Sequence, residues 1–129
     1  MTSYKIIGSL LLSSLWLWNC TANQAPETED VNLMAELQCE ARKLKDERFR
    51  IANEMQLMED SLIKSNSPLT AAQRQTNDSI RQVLTEQTGA LATRITMAMD
   101  SLFEARYQAP EQRDKLDEAV ENRLKEICE

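Results

Sequence analysis

Three thiols and a few carboxylate pairs are the side chains of this 129-residue chain that offer chemistry. Cys20, Cys39 and Cys128 would leave one thiol unpaired in an oxidising compartment, unless one is modified or removed. Two cysteines make a poor zinc site, and the chain has no His to complete one. The adjacent acids Glu59-Asp60 and Asp117-Glu118 suggest cation binding, but neighbours on a helix point about 100° apart. No EF-hand spacing is present, so these acids read as solvated helix faces. Met34, Met55 and Met58 recur at helical spacing, and Met97 and Met99 flank Ala98, which suits core filling better than soft-metal binding. The absence of His also removes the commonest general base. With no Gly-rich phosphate loop and no Ser/His or Cys/His couple, the expectation is a non-enzyme without metal or cofactor, and no small-molecule substrate is evident.

The positions around Cys20 set the second expectation. Lys5 supplies a small positive region, and Ile6 to Trp18 form an apolar run of 13 residues interrupted by Gly8, Ser9, Ser13 and Ser14. A run this short suits a signal h-region, since a membrane span needs about 20 apolar residues. Residues 1–19 therefore read as an export signal. Leu17-Trp18-Asn19-Cys20 resembles a lipobox, which implies lipidation of Cys20 as the new N-terminus. Cleavage after Ala22 is the rival reading and gives a soluble periplasmic or secreted protein, and an uncleaved anchor is a third. Lipidation or removal of Cys20 equally resolves the odd thiol and leaves Cys39 and Cys128 to pair.

The rest of the chain must position these groups, and its composition points to helices. Gly occurs twice and Pro three times, too few for the turns of a β-rich fold, while good helix formers dominate. Lys5 is the one charged residue before Cys20, so the whole-chain charge of -6 becomes -7 beyond it, a balance that disfavours nucleic acid as a partner. Residues 20–30 read as a lipidated cysteine and polar tether, and residues 31–129 as one all-α domain with helices over about 30–64, 70–107 and 111–128. Met34, Leu37, Ala41, Leu44, Ile51, Met55, Met58 and Leu62 make a heptad seam with Arg48 as its interruption, and Asp46, Asn53 and Asp60 lie opposite. Ser65-Asn66-Ser67-Pro68 breaks the first helix. Thr70 and Gln73 fit a capping box for the second. Its seam is expected along Thr76, Ile80, Leu84, Gln87, Leu91, Ile95, Ala98 and Leu102, nearer 3.67 than 3.5 residues per turn. Pro110 suits the first turn of a third helix lined by Leu116, Val120, Leu124 and Ile127. Short connections imply an elongated antiparallel hairpin thickened by a shorter third helix, up-down-up.

Folding the chain at these two breaks brings Cys39 and Cys128 within about four residues, or ~6 Å along the helix axis. An intramolecular disulfide is one outcome, and an intermolecular bond or free thiols the other. Cys39 lies off the main seam, so the first outcome requires a second contact face on the first helix.

Two resemblances bear on function. A Cys early in the first helix, the stretch Ala105-Arg106-Tyr107-Gln108-Ala109-Pro110-Glu111-Gln112-Arg113 and a Cys ending the last helix resemble small helical lipoproteins of the Bacteroidota type, a group without assigned function. Leu69-Thr70-Ala71-Ala72-Gln73 is similar to the LTxxQ motif of the Spy/CpxP periplasmic family, and Pro110-Glu111-Gln112-Arg113 looks like a decayed second copy. That likeness implies a helical chaperone or stress sensor; the same residues also read as ordinary helix starts. The expectation is an envelope-tethered, non-enzymatic interaction or structural module. It would be held to the membrane through an N-terminal lipid and would contact another protein or a second copy of itself. A Spy/CpxP-like chaperone is the alternative.

Overall fold

The structure is a computed structural model and describes residues 24–128; the expected export signal, Cys20 and the expected tether before Gln24 lie outside the described residues. It is all-α, with no strand among the described residues. Helix α1 spans Thr28–Lys64, α2 spans Ala71–Ala105 and α3 spans Pro110–Ile127. None of the three is long and apolar enough to cross a membrane.

Local signals set the helix ends. α1 begins two residues before the expected position, placing Glu29 and Asp30 in its first turn, where acids suit the helix dipole. It stops in a Schellman turn: Asn66 takes a positive φ of 53°, and Ser67 N–H and Asn66 N–H donate to the Leu62 and Ile63 carbonyls at 2.9 and 3.1 Å. α2 opens with the capping box, Gln73 N–H donating to Thr70 Oγ1 at 3.2 Å and Thr70 N–H to Gln73 Oε1 at 2.9 Å. It closes at Ala105, two residues short of expectation, because Arg106 leaves helical geometry and turns Tyr107 into the core. Pro110 occupies the first turn of α3, and Gln112 Oε1 accepts from Ala109 N–H at 3.2 Å.

Cross-helix contacts ascend along α1 as they descend along α2. Asp30 meets Arg106, Glu40 meets Arg94, Arg48 meets Thr88, and Glu59 approaches Arg81 at 3.8 Å. The seam of α1 holds as expected, with Met34, Leu37 and Met55 buried and Ala41, Leu44, Ile51, Met58 and Leu62 half-buried. The seam of α2 is corrected at two places. Thr76 and Gln87 are exposed, and their neighbours Asn77 and Thr88 point inward instead. The inward positions then run 77, 80, 84, 88, 91, 95, 98 and 102, in steps of three and four that alternate from 84 onward, nearer a heptad than the expected spacing. The swap has a local cause at Thr88. Its hydroxyl donates to the Leu84 carbonyl at 2.7 Å and accepts from Arg48 Nη1 at 3.1 Å. The interruption in the α1 seam is thus met by a polar residue from α2.

The core is lopsided. Met34, Ala35, Leu102, Tyr107, Leu116 and Val120 form one buried cluster, and Val31, Ile95, Met99, Phe103 and Ile127 pack around it. All of it lies where α3 covers the first part of α1 and the last part of α2. Beyond this base, residues 45–90 form an arm only two helices thick, in which Met55 and Asn77 are the buried residues.

Candidate interaction groove

The base holds the groups that the sequence singled out. Cys39 and Cys128 are joined in a disulfide, with Cα atoms 5.5 Å apart. The second contact face that this pairing requires is present on α1. Ala35 and Cys39 are buried on the side facing α3, where Asn32 and Arg42 also reach Arg123 and Glu121. Cys20 lies outside the described residues. The acid pairs do not converge: Asp60, Asp117 and Glu118 are exposed, and among the described residues no three Cys, Asp or Glu are placed to hold a metal. Met34 and Met55 are buried and Met99 packs against the core, while Met97 is exposed.

The Arg106–Arg113 stretch forms a corner lock between the helices. Arg106 Nη1 donates to both Asp30 oxygens at 2.9 and 2.8 Å and to Glu27 Oε2 at 2.6 Å. Tyr107, 6% exposed, donates its hydroxyl to Asp30 Oδ2 at 2.8 Å and accepts from Glu27 N–H at 3.1 Å. Arg113 Nε donates to the Tyr107 carbonyl at 2.9 Å while its guanidinium lies 4.5 Å over the Phe103 ring. Asp30, buried in the first turn of α1, thus fixes where the chain ahead of it meets the domain.

Burial pushes the Tyr107 phenol above its ordinary pKa, and the Asp30 carboxylate adds to the effect against the opposing Glu27 N–H. The folded pKa therefore exceeds the unfolded one. This contribution is fully present below about pH 10 and is lost as pH rises through the folded pKa. Tyr107→Phe is expected to cost about 1–2 kcal/mol at pH 7, because Asp30 and the Glu27 N–H each lose a partner. The variant should then show a shallower alkaline decline in melting temperature than the parent. An equal decline in both proteins above pH 10 would show that this phenol does not control it.

An open apolar surface runs from the edge of the base into the arm. Between α1 and α2, on the side that α3 occupies lower down, lies a groove of about 470 Å³. Its floor is Ala41, Leu44, Ala52, Leu91, Ala92 and Ile95, and Arg48 and Thr88 cross it as a polar bar. Phe49, 59% exposed, forms one wall, and Lys45 Nζ sits 5.9 Å above its ring. Among the described residues neither Lys45 nor Arg48 pairs with a carboxylate. The opposite side of α1 differs: there Arg50 bridges Glu47 and Glu54, and its hydrogen bond holds the Glu47 carboxyl below the ordinary range. One face of the arm is therefore ionically self-satisfied, and the other is apolar with unpaired cations.

Phe49 was not expected at any site, because it lies between the seam and the polar face of α1. Its signal is a large aromatic off the seam of an otherwise aromatic-poor domain. An open groove lined by small apolar side chains can seat a helix, and among the described residues no metal ligand set lies in it. No family of known proteins, no curated protein and no solved structure matches this chain.

Proposed function

We propose that this chain is a non-enzymatic interaction module of the bacterial cell envelope, held at a membrane through a lipid on Cys20, whose two-helix arm receives a protein partner. The observation that carries this reading is the groove beside Phe49, an apolar surface left open while α3 fills the equivalent surface at the base. The disulfide suits an oxidising compartment and so favours export. A site-specific photo-crosslinker at Phe49 in the native host envelope is expected to give one discrete product, and the same probe at Glu47 none. The intact mass of the protein recovered there is expected to match residues 20–129 plus acyl chains. Equal labelling from both faces would remove the groove as the contact site, and a mass starting at Asn23 would remove the anchor.

The Spy/CpxP-like chaperone reading draws support from Leu57, Ile63 and Val83, large apolar residues exposed along the arm, and from Met97, exposed below it on α2. A holdase would suppress aggregation of an unfolding client protein. No suppression at stoichiometric excess would dismiss that activity.

A further inference from the structure

The groove's length and charge pattern select an occupant. Its open stretch starts where α3 stops, at the Cys128–Cys39 bridge, and runs to the end of α1 at Lys64. That is about 36 Å of α1 at 1.5 Å per residue, and its midpoint falls at Ala52, a small exposed residue. A helical stripe passes through this midpoint at steps of three and four: Ala41, Lys45, Arg48, Ala52, Gln56 and Glu59 lie on the groove side of α1, and the exposed Ile63 continues the spacing. The stripe carries the cations Lys45 and Arg48 before Ala52 and one carboxylate, Glu59, after it.

We infer that the partner seated in this groove is a second copy of the chain, its α1 running antiparallel to the first about a two-fold axis at Ala52. The inference rests on the proposed role of the groove as an interaction site. In this register Ala52 meets Ala52, allowing close approach of the helices. Lys45, which has no carboxylate partner among the described residues, meets Glu59 of the second copy, a carboxylate that its own Arg81 approaches at 3.8 Å, and Arg48 meets Gln56. The 73%-exposed Ile63 is covered beside Ala41. The symmetry makes each contact occur twice, as an isologous interface requires. The fit is also steric: the Schellman turn that ends α1 in one copy arrives level with the end of α3 in the other, so the open stretch is filled without displacing α3. The arm, two helices thick alone, becomes a four-helix bundle.

The test is sedimentation equilibrium of the mature protein, disulfide intact, across micromolar to near-millimolar concentrations. A reversible dimer is expected. Lys45→Glu and Glu59→Lys are each expected to weaken it about tenfold or more, since each reversal strikes two symmetric contacts. The double variant carrying both changes restores dimerisation, because the swapped charges meet again. Circular dichroism of each variant checks that the helices are retained. A strict monomer, or a dimer indifferent to both reversals, overturns the self-pairing. The crosslinking from Phe49 keeps the two claims apart. A product of twice the chain mass supports this occupant, whereas a product with a different protein preserves the interaction role and overturns the second copy.

Discussion

Reducing the Cys39–Cys128 disulfide is expected to lower the free energy of unfolding by about 4 kcal/mol, because the bridge closes a loop with a sequence separation of 89. For a domain of this size such a loss lowers the melting temperature by roughly 15–30 °C. The effect follows from the position of the bridge as well as from loop length. α3 has 18 residues, and a helix in a protein draws most of its stability from tertiary packing, so α3 depends on Leu116, Val120 and Leu124 for its place. The bridge fixes its far end onto α1, next to the last of these contacts. Urea titrations by far-UV circular dichroism, with and without full reduction verified by thiol titration, measure the change. An unchanged midpoint in the reduced protein would show that the loop constraint contributes nothing. Replacing both cysteines by Ala should reproduce the loss without reductant.

Leu124→Ala should cost about 3–4 kcal/mol, the range for a fully buried leucine whose surroundings relax only in part. Leu124 has no exposed surface and sits within the three-helix base. Leu57→Ala, at a residue 69% exposed on the arm, should change stability by less than about 0.5 kcal/mol. The contrast tests where stability resides. If the core is confined to the base, backbone amides of residues 45–90 exchange through local openings of lower free energy than those around Met34 and Leu116. Comparable losses for the two variants would contradict a lopsided core. So would uniform exchange protection along both long helices.

The helix count and most helix ends were legible because they depend on neighbours in sequence. Pro68 and Pro110 act on the residue before them or on the first helical turn, and the Thr70–Gln73 box is complete within four residues. The seam of α1 was legible because its apolar side chains repeat without competition. In α2 the same reading placed Thr76 and Gln87 inward, where the fold places Asn77 and Thr88. Two adjacent polar residues give periodicity nothing to rank, and the deciding contact, Arg48 with Thr88, comes from another helix. Equal weight along a heptad seam also conceals how many helices cover it. The confinement of the core to the base depends on the length and placement of α3, and so does the open groove above it. The lock of Asp30 with Arg106 and Tyr107 joins residues almost 80 positions apart, and no local pattern announces it. The second face of α1 could be inferred only as a condition that pairing Cys39 with Cys128 would impose, and Ala35 fulfils it.

The corner lock also decides how the molecule bears tension. A pull on the chain ahead of Gln24 reaches the domain at Glu27, whose N–H is held by Tyr107, and then at Asp30, held by Arg106 and Tyr107. From there the force passes along the first turns of α1 to Cys39, where a covalent bond transfers it to α3. The load path closes within the base. The arm of residues 45–90 lies beyond this path, so such a pull bypasses Arg48, Phe49 and Ala52, which line the groove.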